Sequence, residues 1–343
     1  MLSKKLSKKT FVVSIFLIFI IIYACHMQIS SMGYHNRIFV VADSTFWPEV
    51  AGDIREEFEA PIYMPIPEKT YDIDWIPLSK LNDFKQRMNI FLIGTSDQDN
   101  PTNNYLKQIL PEQFKQGVEN NEYFYLFQDN LFASGQVGLI MYAQDKASFL
   151  KNFAALKTEI FNKFTEKYYA RIKKEMYSAG EQTGIQETLE NNFGWSVRVQ
   201  HDYFVAMQDI DQKYVWLRRI DPDRWLSMWE MNGDSSLLAA DSLISIRNRV
   251  LGKSYEGDQV EKDDSYITIA DFNGKPTVKM IGLWRNDSLL VGGPFRLYAI
   301  QDPQNSKVYF VDIAVMAPNK AKKAYLDQLE VMAHTFRVVD SDK

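Results

Sequence analysis

Cysteine and histidine are scarce in this sequence. Cys25 is the only cysteine among 343 residues, and there are four histidines. No intramolecular disulfide can form, so any folded domain must be stabilised by its core. Because thiolates and imidazoles are the usual ligands of zinc and related metals, we expect no metal site and no cofactor.

Motifs of common catalytic sites are also absent. The sequence has no G-x-S-x-G nucleophile elbow, no H-E-x-x-H zinc motif and no phosphate-binding glycine loop. Asp97 begins a stretch that looks like a calcium loop, but Thr102 and Gln108 stand where such a loop needs Gly and Glu. A pair of glycosidase carboxylates is defined by its separation in space rather than in sequence, so the sequence singles out no particular pair. We therefore expect a protein without catalytic activity.

Acidic residues outnumber basic residues in this sequence. The chain has 39 Lys and Arg against 44 Asp and Glu, a formal net charge of −5. Residues 1–24 contain four lysines and no acidic residue, so their removal would leave a net charge of −9. An acidic body argues against nucleic acid as a partner and against a broad contact with anionic lipid.

The N-terminus predicts a lipoprotein signal. Lysines precede an apolar run from Phe11 to Ala24, which is shorter than the roughly 20 residues of a membrane-spanning helix. The run ends in Ile22-Tyr23-Ala24-Cys25, which resembles the bacterial lipobox, although Tyr23 is bulky for its position. We predict a cleaved signal peptide at 1–24 and a diacylglycerol on the Cys25 thiol. The alternatives are an uncleaved anchor helix and a buried core cysteine.

The residues directly after Cys25 indicate which membrane would hold the lipid anchor. Position 26 is His rather than the Asp that retains many lipoproteins in the inner membrane, and no acidic cluster follows. We therefore predict a lipid anchor in the outer membrane, facing the periplasm, followed by a tether at 25–36.

Strand and helix patterns predict an α+β fold with mainly antiparallel sheets packed by helices, in two α/β sub-domains. The longest helix is predicted at 146–176, because apolar residues recur there in steps of three and four. Paired strands are predicted at 123–128 and 136–142. A glycine-rich boundary divides an N-terminal domain at 37–180 from a C-terminal domain at 185–339.

Short motifs over nearly the whole mature chain carry a family resemblance. They are Ile38–Val41, Trp47, Gly52-Asp53, Arg55, Glu59-Ala60-Pro61, Pro67-Glu68, Tyr71-Asp72-Ile73, Asn89-Ile90, Val215–Arg219, Gly282–Arg285, Gly292–Phe295 and Ala317-Pro318. They resemble a family of predicted envelope lipoproteins of Bacteroidota that is defined only as a domain of unknown function. The resemblance implies a compartment and an architecture, and it implies no catalytic residue.

Tryptophan and arginine are concentrated in, or directly after, three predicted strands of the C-terminal domain. The residues are Trp216, Arg218, Trp225, Trp229, Trp284 and Arg285. If they share an exposed sheet face, they form a candidate binding face that stacks on sugar rings or contacts a protein. The alternative is that the tryptophans fill a core under a helix while the arginines pair with acids.

Two serines are candidate O-glycosylation sites. Ser44 and Ser288 each follow an Asp, which resembles the acceptor sequence of exported Bacteroidota proteins. Ser242 also follows an Asp, but it lies in a predicted helix. After Ser288, Gly292 and Gly293 predict a tight connection or a strand bulge with positive φ angles.

Together these features predict a membrane-anchored envelope lipoprotein that binds or scaffolds a protein partner without catalysis. The alternative is a glycan-binding module or a glycan-active hydrolase that uses the tryptophan-rich sheet.

Overall fold

The computed structural model of the protein describes residues 29–254 and 257–339. The predicted signal peptide and Cys25 lie outside these residues. Contacts divide the chain into two compact units. Among the described residues, the N-terminal unit comprises 29–54 and 73–157, and the C-terminal unit comprises 55–72, 158–254 and 257–339.

The elements follow one another as mixed helices and strands. The first half of the chain forms β1 (Arg37–Val41), α1 (Trp47–Phe58), β2 (Pro61–Ile62), β3 (Glu68–Lys69), β4 (Asp72–Ile76), α2 (Leu81–Phe84), β5 (Asn89–Thr95), α3 (Pro101–Ile109), α4 (Glu112–Glu119), β6 (Tyr125–Asp129), β7 (Val137–Ala143) and α5 (Lys146–Ser178). The second half forms α6 (Thr183–Phe193), β8 (Trp195–Ser196), β9 (Phe204–Asp209), β10 (Tyr214–Arg219), β11 (Asp223–Asn232), α7 (Ala240–Ser254), β12 (Gln259–Phe272), β13 (Lys275–Asn286), β14 (Val291–Asp302), β15 (Lys307–Met316), α8 (Lys323–Ala333) and β16 (Arg337–Val338). The predicted α+β class is confirmed.

The N-terminal unit is built on a mixed sheet in the order β4-β1-β5-β7-β6. β6 and β7 form the predicted antiparallel pair, with Tyr125 opposite Met141. β1 pairs with β5 and β5 with β7 in parallel. Every residue of β5 and β7 is buried, as parallel strands with both faces covered require. The sequence predicted mainly antiparallel sheets and did not predict these parallel pairs.

The C-terminal unit is built on an antiparallel sheet in the order β12-β13-β14-β15-β11-β10-β9. On one face, Leu243, Ile246 and Leu251 of α7 pack into an apolar core with the strand residues. On the other face lie α8 and the part of α5 from residue 158 onward, where the Tyr169 hydroxyl donates to Asp327 of α8 over 3.2 Å. The sheet therefore has helices on both faces.

Residues 29–36, which we predicted as part of a tether, are hydrogen-bonded to the N-terminal unit. The amide of Ser31 donates to the Ser134 carbonyl at 2.8 Å, and the amide of Ser134 donates to the Ile29 carbonyl at 2.9 Å. The amide of Met32 donates to the Gln86 carbonyl at 2.7 Å. The chain is thus held against the unit from Ile29 onward.

Gly292 and Gly293 have another role than the one predicted. They lie inside β14, paired with Arg285 and Trp284, and neither has a positive φ. A Cβ at Gly293 would lie 2.0 Å from the Val315 carbonyl oxygen. The glycines therefore allow strands to approach closely, and the turn before them is made by other residues.

Candidate ligand site

A buried carboxylate, Glu330, lies on the inner face of α8. Lys323, Asp327, Glu330 and His334 follow one another in steps of four, three and four, so they share one side of the helix. Glu330 is 4% exposed and Asp327 is 1% exposed. Buried carboxylates must be paired or hydrogen-bonded, because an unpaired charge is costly to remove from water.

Strands β13 and β14 provide the partners of Glu330. Lys279 lies opposite Tyr298 in the register, and Arg296 precedes Tyr298 by two residues. Alternation along a strand places all three side chains on the same face of the sheet. Two positive charges and a phenol thus point toward α8 from neighbouring strands.

Contacts to both oxygens of Glu330 complete the cluster. The Lys279 Nζ donates to Oε1 at 2.9 Å, and Arg296 Nη1 donates to the same oxygen. The Tyr298 hydroxyl donates to Oε2 at 2.5 Å, and the His334 Nε2 lies 3.7 Å from that oxygen. We call Lys279, Arg296, Tyr298 and Glu330 the Glu330 cluster.

The charges of the Glu330 cluster shift its pKa values. Burial raises the pKa of Glu330, but the positive charges of Lys279 and Arg296 outweigh burial and hold that pKa well below its usual range. Burial lowers the pKa of Lys279, against the attraction of Glu330. Burial also lowers the pKa of His334, because it disfavours the charged imidazolium.

Asp327, the neighbouring buried carboxylate on α8, forms an ion pair with a different cation. Asp327 pairs with Lys323 and accepts from the Tyr169 hydroxyl at 3.2 Å. One carboxylate therefore meets one cation at Asp327, whereas one carboxylate meets two cations at Glu330. The Glu330 cluster has an excess of one positive charge.

A cavity of about 520 Å³ opens onto the Glu330 cluster. Its lining residues are Glu166, Tyr169, Ala170, Lys173, Ala270, Asp271, Lys279, Arg296, Tyr298, Glu330, Val331 and His334. The size is in the usual range of ligand pockets. Glu166, Lys173 and Asp271 are exposed at the rim, where solvent screens their charges.

Donors remain available in the cavity. A guanidinium has five N–H groups and an ammonium has three. Arg296 donates one hydrogen bond and Lys279 one, both to Glu330, and their side chains are only 11% and 14% exposed. Arg296 and Lys279 can therefore bind an oxyanion in the cavity while they keep their hydrogen bonds to Glu330.

The predicted tryptophan face lies mostly inside the core. Trp225 is 6% exposed, and Trp229 and Trp284 are each 2% exposed, because α7 covers this face of the sheet. Trp216 is partly buried against the same core. The glycan interpretation requires an exposed groove of tryptophan rings, and three of the four rings are not accessible.

The two arginines of that face are paired with acids. Arg218 Nε lies 2.8 Å from an Asp223 oxygen. Arg285 is exposed and contacts Glu261 at 3.2 Å and Asp287 at 3.4 Å. Since Arg285 is adjacent to Trp284 in one strand, their side chains point to opposite faces. The six predicted residues therefore do not form one binding surface.

Both candidate glycosylation sites are accessible. Ser44 is exposed in the turn before α1, and Ser288 is exposed in the turn between β13 and β14. Ser242 lies in α7 and donates to the Ser236 carbonyl at 3.1 Å. Cys25, the predicted lipid attachment site, lies outside the described residues.

The described part of the chain contains neither a metal-binding cluster nor a membrane-spanning helix. In residues 29–254 and 257–339, no three His, Cys, Asp or Glu side chains are grouped so that they could hold a metal ion. Over the same ranges, no helix has the length and the apolar composition needed to cross a membrane.

Sequence reasoning missed the Glu330 cluster, although a signal was present. Lys279 stands in the apolar stretch Thr277–Leu283, and Arg296 stands in Phe295–Ile300. Charges at core-facing positions of buried strands are uncommon unless they are paired, which marks them for attention. Glu330 similarly lies between the apolar residues Leu329 and Val331.

Two family models match the chain. One is described as Domain of unknown function (DUF8532) and matches residues 31–177. The other is described as Domain of unknown function (DUF4837) and matches residues 182–335. The predicted resemblance to a domain of unknown function is thereby confirmed, while its assignment to Bacteroidota lipoproteins stays a prediction.

Likenesses to proteins of known structure are weak. No curated protein matches the chain. The Ran-binding protein Mog1p of Saccharomyces cerevisiae is similar at 13% identity and a TM-score of 0.30, over 43% of this chain and 92% of that one. Cyanobacterial PsbP of Synechocystis is similar at 13% identity and 0.29, over 42% and 86%. LpqN of Mycobacterium tuberculosis, involved in cell envelope biogenesis, is similar at 13% identity and 0.27, over 43% and 83%. No functional inference is drawn from scores of this size.

Proposed function

We propose that this protein is a lipid-anchored envelope protein that binds a protein partner without catalysis. The partner inserts an acidic group, a carboxylate, into the cavity above the Glu330 cluster. The observation that carries this proposal is the excess of one buried positive charge in that cluster.

The charge excess favours an anionic ligand for an energetic reason. Two buried cations share one carboxylate, so one positive charge is not balanced, and an entering carboxylate would balance it. The guanidinium of Arg296 presents N–H donors in a plane, which suits the two oxygens of a carboxylate. The ammonium of Lys279 lies beside it on the neighbouring strand, so both cations can contact one ligand.

A protein partner fits the dimensions and the walls of the cavity. About 520 Å³ accommodates an acidic side chain with neighbouring atoms of its chain. The rings of Tyr169, Tyr298 and His334 line the walls and offer apolar surface with polar edges. Buried aromatic and arginine side chains of this kind are the residues that contribute most at protein interfaces.

The sequence supports the anchor. Four lysines, an apolar run and a lipobox-like end precede the only cysteine of the chain. A diacylglycerol with a further acyl chain gives stable membrane attachment, which a single chain does not. His26 at the second mature position favours the outer membrane, and we propose the periplasmic face as the location.

The partner hypothesis is tested by affinity purification of the full-length protein from detergent-solubilised membranes. Lys173→Glu places a negative charge at the mouth of the cavity, where an entering carboxylate must pass it, and should reduce recovery of the partner. Lys174→Glu is the matched control, because this neighbour on α5 is also exposed but does not line the cavity. Recovery of the same partner with both variants, or of no partner with the wild type, would contradict the proposal.

The anchor hypothesis has a separate test. Cys25→Ala should leave an unlipidated precursor, and inhibition of the lipoprotein signal peptidase should accumulate the wild-type precursor. Mass spectrometry of the N-terminal peptide distinguishes these forms. Normal maturation of the Cys25→Ala variant would refute the lipobox assignment.

A further inference from the structure

The end of the N-terminal unit that is nearest the anchor carries exposed apolar side chains. Ile29 is 65% exposed, Met32 is 54% exposed and Tyr34 is 73% exposed. Side chains of this size are usually covered, and several of them close together indicate a contact surface. Backbone hydrogen bonds to Gln86 and Ser134 hold this stretch in place.

Positive side chains surround the same place. Met32, Tyr34, Arg37 and Arg87 line one cavity of about 330 Å³. The Arg87 guanidinium lies over the rings of Phe39 and Phe84, at 5.7 and 5.6 Å, and no carboxylate pairs with it among the described residues. Arg37 lies over Phe39 at 5.6 Å and pairs with Asp74. We call Ile29, Met32, Tyr34, Arg37 and Arg87 the anchor patch.

The covalent length of the chain limits how far the anchor patch can be from lipid. Only four residue steps separate Cys25 from Ile29. A fully extended chain advances at most about 3.6 Å per residue, so Ile29 lies within about 14 Å of the lipidated cysteine. This distance is about twice the thickness of one headgroup layer and far less than the width of a folded domain.

We infer that the anchor patch lies on the lipid surface that holds the anchor, with its apolar side chains among the headgroups and its arginines at lipid phosphates. The inference rests on the proposed lipidation of Cys25. Tyrosine is enriched at membrane interfaces, and arginine bonds phosphate through several N–H groups. The net negative charge of the chain does not oppose this contact, because the covalent anchor keeps the patch at high local concentration.

The opposite edge of the same sheet provides an internal control. β1, β5 and β7 are parallel, so residues 34–37, 86–89 and 134–137 lie at one edge, and residues after Thr95 lie at the other. Gln98 is exposed beyond the carboxyl end of β5. Seven strand residues separate the two edges by about 20 Å.

The experiment uses the full-length lipidated protein in vesicles of phosphatidylethanolamine and phosphatidylglycerol. Because Cys25 is the only native cysteine and its thiol would be blocked by lipid, Tyr34→Cys, Met32→Cys and Gln98→Cys each give one site for a fluorescent label. Lipids that carry a quencher on the upper acyl chain should quench the labels at 32 and 34 at least threefold more than the label at 98. Adding Arg87→Glu should reduce this difference.

Two results would overturn the inference, and they are distinguishable. If the protein floats with the vesicles but the labels at 32 and 34 are quenched no more than the label at 98, the anchor patch does not contact lipid although the anchor is present. If the wild-type protein does not float with the vesicles and carries no acyl chains by mass spectrometry, the lipidation itself is wrong, and the inference fails with it.

Discussion

Replacing Glu330 by Gln tests whether the Glu330 cluster is a buried ion cluster. Among the described residues, Glu330 provides the only carboxylate that Lys279 and Arg296 contact. The variant removes it, while the Gln oxygen can still accept from Tyr298. Removing one partner of a buried ion pair costs about 3–5 kcal/mol. In a unit of this size, each kcal/mol lowers the melting temperature by about 2–4 °C, so we expect a decrease of about 6–20 °C.

Tryptophan fluorescence during thermal unfolding measures this change. Five of the seven tryptophans belong to the C-terminal unit, so the signal reports mainly on that unit: Trp195, Trp216, Trp225, Trp229 and Trp284. Adding Lys279→Met to Glu330→Gln should recover part of the loss, because one uncompensated cation is removed. Glu166→Gln at the exposed rim is the control and should change the melting temperature by less than about 2 °C.

The pH dependence has a defined sign. Because the pKa of Glu330 is lower in the folded state than in the unfolded state, its contribution to stability is complete above its unfolded pKa and is lost as the pH falls. The wild type should therefore exceed Glu330→Gln in stability at pH 7, and the difference should narrow below about pH 4. Equal melting temperatures at pH 7 would refute the buried ion cluster.

Three further predictions concern other parts of the chain. Gly293→Ala should destabilise the C-terminal unit by about 3 kcal/mol, seen as a lower denaturation midpoint, because its Cβ would lie 2.0 Å from the Val315 carbonyl oxygen. Burial raises the pKa of Asp258 to about 6, so the wild type should lose stability as the pH rises from 4 through 6, and Asp258→Asn should not lose it when melting is followed over that range. Ser288→Ala should remove any glycan attached at that turn, which the intact mass of the exported protein would show.

The glycine and serine predictions each have a matched control variant. Gly184→Ala should be neutral or stabilising by up to about 1 kcal/mol, because this helical glycine has no heavy atom within 4 Å of an added Cβ. Ser242→Ala should leave the intact mass unchanged apart from the lost oxygen, since Ser242 lies in a helix. A loss of stability in Gly184→Ala equal to that in Gly293→Ala would show that close strand approach is not the cause.

Local periodicity was sufficient to predict several elements. The helix predicted at 146–176 is α5, because its apolar residues repeat over many turns. The strands predicted at 123–128 and 136–142 are β6 and β7. The parallel pairing of β1, β5 and β7 could not be read from their apolar runs, because a buried run does not specify its neighbours.

The candidate site could not be predicted from the alternation of residues along strands, because it depends on how helices pack on the sheet. Alternation placed Trp225 and Trp229 on one face, but it could not show that α7 covers that face. Lys279 and Arg296 lie far from Glu330 in sequence and meet it only when α8 packs on the sheet. A search for charges at core-facing strand positions would have found the two cations without identifying their partner.

Carboxylate binding in the cavity above the Glu330 cluster can be measured directly by thermal unfolding. The melting temperature of the full-length protein would be followed against glutarate concentration, with chloride at equal ionic strength as the reference. A ligand that binds only the folded state stabilises it by about 2.7 kcal/mol at one hundred times its dissociation constant. If the cavity binds a carboxylate, the melting temperature of the wild type should rise saturably with glutarate relative to chloride, and that of Lys279→Met should not change. Identical melting curves in glutarate and chloride, or an equal rise in Lys279→Met, would contradict this prediction.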